Sequence, residues 1–330
     1  MRFVVYGAGA VGGVVGGLLH RAGHDVHLIA RGAHLDKIRT DGLRLLAPGF
    51  ESVEQIPASA SPANLTWTAD DVVLLAVKSD ATAGVLSELA RHALPDTPVV
   101  CLQNGVANEP AALRWFANVY GVCVLAPTEH LEPGVVAAKS GPVAAILDIG
   151  RFPGGVDETA RRIAAAFESA GIISVPRPDI MRWKYRKLVM NLTNAIDAAC
   201  APGDDAQALR SRLRDEGEAV LAAAGITVAT VEEDEVRRGD ILKVPAAGSD
   251  RPAQGGSSSY QSLARGTGSI ESDWLNGEIV RIARTQGADA PVNDLARRHA
   301  NAMAAGHVAP RTLSASTILA ELDVAQLDPA

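Results

Sequence analysis

The sequence predicts an α/β protein: a doubly wound parallel sheet followed by a second, all-helical domain. Three observations carry this. Short apolar runs alternate with helix-compatible stretches in the first half of the chain, the pattern of a parallel sheet with helices on both faces. A Gly-x-Gly-x-x-Gly run, Gly7–Gly12, directly follows the first apolar run. Strand-like runs become scarce after Arg177-Pro178, where alanine-rich helical periodicity takes over.

Met1–Tyr6 (MRFVVY) reads as a buried parallel strand that ends at the glycines. Val11–Arg21 reads as a helix and Val26–Ala30 as the second strand. Asp71–Val77, Pro98–Leu102 and Val119–Leu125 continue the sheet, with helices over Thr82–His92 and Glu109–Ala117. Val135–Ala138 and Val143–Ile149 are strand-like, and a helix follows over Val156–Ala170. The boundary is placed at residue 178, giving a cofactor-binding domain over 1–178 and a helical substrate and catalytic domain over 179–330. The Gly-, Pro- and Ser-rich segment Ala246–Ser259 reads as a linker, although its length also suits a functional loop.

With 330 residues the chain is long enough for two domains, and 47% apolar with 21% charged residues is an ordinary globular composition. A net charge of −7 argues against general nucleic-acid binding, which needs clustered Lys and Arg. Cys101, Cys123 and Cys200 show no metal-ligand spacing and are expected to be reduced, buried thiols. Glycines interrupt the apolar stretch Phe3–Leu19 throughout, so it is not read as a signal peptide. No run reaches the roughly 18 apolar residues of a membrane span, and a cytoplasmic protein is expected.

A lone Gly-x-Gly-x-x-Gly is weak evidence, but here a strand precedes it, a helix follows, and a second strand closes the unit. That is the Rossmann dinucleotide-binding arrangement, with Gly7, Ala8, Gly9, Ala10, Val11 and Gly12 at the pyrophosphate. An NAD enzyme usually ends the second strand on a carboxylate that holds the ribose 2′-hydroxyl. This strand runs into Ile29-Ala30-Arg31-Gly32, and Asp25 lies too early. Arg31 can pair with a 2′-phosphate that an acid would repel, so NADP(H) is the expected cofactor. Lys78 and Asn104 follow the strands Asp71–Val77 and Pro98–Leu102, at the sheet edge where such folds bind ligands. Each also reads as an ordinary post-strand loop residue.

In the second domain, Lys187 and Asn191 stand four apart and share a helix face, in a mainly apolar stretch. Lys184 and Arg186 read as a basic helix surface. Spacing alone does not single out Lys187.

Over essentially its whole length the sequence resembles the ketopantoate reductase family. The matching motifs are GAGAVGG at the N-terminus, Arg31 with Leu35 and Gly42-Leu43, the AVK ending at Lys78, and the QNG containing Asn104. They continue with Tyr185-Arg186-Lys187-Leu188-Val189-Met190-Asn191, Ser257-Ser258-Ser259, and Glu271 followed by Leu275-Asn276-Gly277. The resemblance implies a Rossmann domain joined to a helical domain similar to that of 6-phosphogluconate dehydrogenase, with the site between them. It implies Lys187 as proton donor, Asn104 bridging nicotinamide and substrate, and Lys78 contacting cofactor. Asn191 and Ser258 match substrate-binding positions, and Glu271 matches the carboxylate near the lysine and the cofactor ribose. Chemically, an ammonium stabilises the negative charge that grows on a keto oxygen and then delivers its proton.

Three departures surround the expected substrate pocket. Ala195 stands where the family has a second asparagine, with Asn194 one position early and about 100° round a continuous helix. Arg265–Glu271 is glycine-rich, and Ser262 replaces an aspartate. The expected activity is NADPH-dependent reduction of a small-molecule 2-keto acid, with 2-dehydropantoate first. A different keto acid is the alternative, and a non-catalytic NADPH sensor is a third reading. Opine dehydrogenases, which share the architecture, rank below the first two. Helical second domains of related reductases sometimes pair, so a homodimer stays open.

Overall fold

A computed structural model describes residues 1–239, 241–243, 256–266 and 268–327. In chain order its elements are β1 (Arg2–Tyr6), α1 (Ala10–Arg21), β2 (Asp25–Ile29), α2 (Gly32–Asp41), β3 (Leu43–Ala47), β4 (Phe50–Glu54), β5 (Ala58–Ser59) and β6 (Asp71–Leu75). Then follow α3 (Thr82–Leu89), β7 (Val99–Cys101), α4 (Asn108–Ala112), β8 (Val119–Leu125), β9 (Thr128–Glu132), β10 (Val135–Ala138), β11 (Gly141–Pro142), β12 (Ile146–Arg151) and α5 (Glu158–Ser169). The remainder is α6 (Ile180–Asn191), α7 (Asn194–Ala199), α8 (Asp204–Ala223), α9 (Val231–Arg238), β13 (Leu242–Lys243), α10 (Ser258–Ala264), α11 (Asn276–Thr285), α12 (Pro291–Ala305) and α13 (Ala315–Leu327).

The chain groups into two units. One contains Met1–Lys184 and the described part of Thr230–Ser249; the other contains Tyr185–Ala229 and the described part of Asp250–Ala330. The division falls inside α6, whereas the composition of the sequence changes at Arg177-Pro178, just before that helix. Most of the glycine-rich Ala246–Ser259 lies outside the described residues.

In the first unit the main sheet has the order β12-β8-β7-β6-β1-β2-β5. β1 pairs in parallel with β2 on one side and β6 on the other, and β12 is antiparallel to β8. Strand order therefore reverses between β1 and β6. The carboxyl ends of these strands, where Tyr6 pairs with Leu75, mark the crevice in which doubly wound sheets bind ligands.

A second sheet, β4-β3-β10-β9, was not foreseen apart from β10. Its pattern is local and short: Leu43 and Leu45 are buried around an exposed Arg44. α1 packs against both sheets, which explains its glycines. A Cβ at Gly16 would stand 2.9 Å from Leu28 of the main sheet; one at Gly13 would stand 2.8 Å from Val136 of the second. Each glycine costs a helix about 1 kcal/mol relative to alanine. Close approach on two faces offsets that cost, so the glycine-broken run belongs to a core helix.

The second unit is helical. α8 packs on α11, α12 and α13, and α7 packs on α10 and α12. The Glu216 carboxylate accepts from the backbone N–H of buried Asn293 (2.8 Å) and from that of Val292 (2.9 Å), and the Asn293 side chain accepts from Asn276 at 3.0 Å. Asn276 also donates to Leu192 O at 2.9 Å. That capture withdraws the Leu192 carbonyl from the helical ladder, and the chain breaks between Asn191 and Asn194. The continuous helix expected from sequence is thus two helices, and Asn194 begins the second. Among the described residues no helix is long and apolar enough to cross a membrane. All three cysteines are buried thiols outside any disulfide, as expected.

Candidate active site

The glycine loop joins β1 to α1. Gly7 has φ +103°, a conformation that disfavours any side chain, and a Cβ at Gly12 would stand 2.1 Å from Gly7 O. Gly9 differs, since a Cβ there would meet nothing within 4 Å. Protein packing does not require that glycine, and its open face fits a pyrophosphate approaching the backbone. α1 has no side-chain cap and no acidic residue in its first turn, so its N-terminal amides and dipole remain available to an anion.

His34, which sequence reasoning passed over, fixes this loop. Gly134 N–H donates to His34 Nδ1 at 2.8 Å, so Nε2 carries the proton and donates to Ala8 O at 2.7 Å. Burial holds the His34 pKa below its ordinary value, partly opposed by the bond to Ala8, which keeps this neutral tautomer at pH 7.

Arg31 caps the start of α2 with its side chain 70% exposed, and its guanidinium lies 3.4 Å from Glu88 Oε2. Glu88 also accepts from the Tyr6 hydroxyl at 2.5 Å and from Ser61 Oγ at 2.7 Å. The Tyr6 hydroxyl foremost, then Ser61 and Arg31, hold the Glu88 pKa below the usual carboxylate value. Burial and the Glu88 carboxylate push the Tyr6 phenol up to about 12. No motif in the sequence pointed to Glu88.

Lys78 and Asn104, both half-buried, stand on neighbouring loops after β6 and β7. A buried polar network joins those loops. Gln103 Nε2 donates to Val77 O (2.8 Å) and to Thr82 Oγ1 (2.9 Å). Thr82 Oγ1 in turn donates to Asn108 Oδ1 at 2.8 Å. Asn108 Nδ2 donates to Ser79 Oγ and to Asn104 O, both at 3.2 Å. The backbones on either side of Lys78 and Asn104 are therefore tied together, as their expected convergence on one sheet edge requires.

The basic run on α6 is not the surface that sequence suggests. Lys184 is 2% exposed and ion-paired with fully buried Glu109. Arg186 pairs with Glu218 at 2.6 Å and donates to Ala229 O at 2.5 Å. Burial pushes the Glu109 carboxyl up, partly opposed by the charge and hydrogen bond of Lys184.

In the second unit α6 carries Lys187, half-buried, and Asn191, 6% exposed, one turn apart on a shared face. Asn191 Nδ2 has no hydrogen-bond partner among the described residues. A buried amide left unpaired costs about 1–3 kcal/mol, so it marks a place that a ligand's acceptor can fill. Ser258 is exposed in the first turn of α10, and Glu271 is half-buried at the start of a short 3-10 turn. Ser257, not Ser258, caps α10, accepting from Tyr260 N–H at 3.2 Å while its own N–H donates to Asp197 at 2.8 Å. Ala195 is 1% exposed in the core, and buried Ser262 donates to Ser258 O at 3.1 Å. Asn194 is half-buried, and its carbonyl accepts from Ser257 Oγ at 3.4 Å.

Residues 3–154 match the model of ketopantoate reductase PanE/ApbA, and residues 179–304 match that family's C-terminal model. The chain belongs to the ketopantoate reductase family. The 2-dehydropantoate 2-reductase of Halobacterium salinarum is 32% identical over 300 residues, covering 88% of this chain and 95% of that one. That of Pyrococcus horikoshii is 28% identical over 310 residues, with 89% and 95% covered. Among solved structures, a PanE/ApbA family ketopantoate reductase from Ralstonia eutropha JMP134 superposes with a TM-score of 0.78 at 29% identity, covering 93% of this chain and 99% of that one. Members of this family are oxidoreductases acting on the CH–OH group, and this chain is one of them.

Proposed function

We propose that this ketopantoate reductase family member reduces a 2-keto acid to the 2-hydroxy acid with NADPH, 2-dehydropantoate to pantoate first, within pantothenate biosynthesis. The observation that carries the reading is the buried, unpartnered Nδ2 of Asn191, one helical turn from Lys187 on the same face of α6. An amide and an ammonium so placed suit the oxygens of a keto acid. Lys187 stabilises the negative charge that develops on the keto oxygen and gives it a proton, while Asn191 fixes the acid's orientation. Glu271 assists by orienting the lysine and meeting the cofactor ribose. Asn104 holds the keto group against the nicotinamide side, and Asn194 and Ser258 border the substrate.

Bound NADPH supplies the hydride. Gly7–Gly12 receive its pyrophosphate, Lys78 supports its binding, and Arg31 meets its 2′-phosphate, an assignment supported by the absence of a carboxylate at the end of β2. A second reading keeps the chemistry and changes the keto acid. It is favoured by Ala195, whose methyl lies in the core where the family resemblance implies an asparagine, and by Ser262, whose hydroxyl is turned onto the backbone of α10.

The test is a spectrophotometric screen of 2-keto acids, 2-dehydropantoate included, with NADPH and with NADH. Turnover of 2-dehydropantoate with NADPH, lost in Lys187→Ala by about a thousandfold or more in kcat, is the expected result. Turnover of another keto acid alone selects the second reading. No consumption of NADPH with any keto acid would leave a cofactor-binding sensor and overturn both.

A further inference from the structure

The buried lysine of α6 has no role in the reading above, and stability alone does not account for it. Lys184 Nζ donates to Gln103 O at 2.9 Å and to Val122 O at 3.0 Å, and lies 2.8 Å from Glu109 Oε1. Its donors are thus fully engaged inside the first unit. Glu109 Oε2 has no hydrogen-bond partner among the described residues. Desolvating two such charges is expensive, and apolar residues of similar volume often serve stability as well or better. β8 even accommodates the pair with a glycine inside the strand. A Cβ at Gly121 would come 3.2 Å from Lys184 Cδ and 3.3 Å from Glu109 Oε1.

What the pair holds is the backbone of the Asn104 loop. Gln103 O is the carbonyl immediately before Asn104. Glu109 adjoins Asn108, whose amide accepts the Thr82 hydroxyl and donates to Asn104 O. At its other end Lys184 is covalently part of α6, one turn and about 4.5 Å of rise before Lys187. One side chain therefore ties the loop that presents Asn104 to the first turns of α6, within the first unit.

We propose that Lys184, with Glu109 as its buried counter-ion, is a positioning residue for the reduction, holding the backbone of Gln103-Asn104 in place within the first unit. The proposal rests on the reading that Asn104 serves the reaction, and neither Lys184 nor Glu109 touches substrate or cofactor in it.

The decisive variant is the double substitution Lys184→Met with Glu109→Leu, which removes both charges and keeps volume. Its thermal midpoint should stay close to the parent's. Its kcat should fall about a hundredfold, the cost of a misplacement on the order of 1 Å. The KM for NADPH should change by less than about threefold, because the glycine loop is untouched. Hydrogen exchange at the amides of residues 103–105 should quicken by about tenfold. A merely stabilising pair predicts the opposite: parental kcat and parental exchange wherever the fold is retained, and that result overturns the proposal. Should the double variant not fold, Gly121→Ala crowds the same pair without deleting a charge. There kcat should fall about tenfold in a folded protein, and unchanged kcat and exchange would refute the tie. The exchange measurement needs no substrate. If the parent turns over no keto acid, the functional reading fails while exchange at 103–105 still decides the role of Lys184.

Discussion

Replacing His34 by alanine tests how the glycine loop is held. The imidazole accepts from Gly134 N–H and donates to Ala8 O, so the variant leaves two backbone groups without partners. At about 1 kcal/mol for each, the low end for partly buried groups, roughly 2 kcal/mol is lost. Part appears as stability. The rest appears on binding, because a loop no longer anchored at Ala8 must be ordered by the ligand. About 1.4 kcal/mol of that cost raises the cofactor Kd tenfold. Titrating nicotinamide fluorescence against protein should give this weakening equally for NADPH and NADH, since the loop serves the pyrophosphate common to both. His34→Gln, which keeps a donor and an acceptor, should recover part of it. The pH dependence has a definite sign. His34 is depressed in the folded state by burial, so its contribution is present above the unfolded pKa of about 6.5 and is lost as pH falls through the lower folded value. An unchanged Kd for both cofactors in a folded His34→Ala protein would refute the argument, as would an effect confined to NADPH.

Arg31→Ala, in contrast, should weaken NADPH by about tenfold or more while leaving NADH nearly unaffected, since only the 2′-phosphate distinguishes them. Equal weakening in the same titration would remove Arg31 from that role. Asp148→Asn should cost about 3 kcal/mol in urea unfolding, because it leaves the largely buried guanidiniums of Arg177 and Arg237 without their anion. Burial pushes the Asp148 carboxyl up, but the hydrogen bonds and charges of Arg237 and Arg177 more than reverse that, so its folded pKa lies below the usual value. Its stabilisation is therefore full above about pH 3.9 and is lost as pH falls through the folded value, and the variant should show a flatter acid limb. An acid limb as steep as the parent's would count against this account.

What the sequence made legible was what local chemistry encodes. The strand, glycine turn and helix of residues 1–21 are specified by neighbours a few positions apart, and the structure builds them within a residue of where the pattern puts them. The Lys187–Asn191 pairing is likewise a matter of helical spacing within one element. The misses share a different cause. Lys184 reads as solvated because its partners Gln103, Val122 and Glu109 lie 62 to 81 positions away for the two carbonyls and in another element for the acid. His34 looks like a polar helix residue until Gly134, 100 positions on, is brought to its Nδ1. The break after Asn191 has no proline or glycine to announce it, since Asn276 makes it from a distant helix.

Those misses follow a physical pattern. In each, a buried or half-buried polar side chain takes backbone groups that secondary structure would otherwise satisfy: Lys184 the carbonyl of Gln103, His34 that of Ala8, Asn276 that of Leu192. Such bonds concentrate where the backbone departs from regular geometry, since a regular ladder leaves few carbonyls to spare. Irregular backbone held in one conformation is also what a binding loop needs, because an unheld loop charges its ordering entropy to the ligand. The residues that motif reading finds are thus the ones proposed to meet cofactor and substrate. Those it overlooks hold the loops that present them, and substitutions there should register in kcat or Kd before they register in the fold.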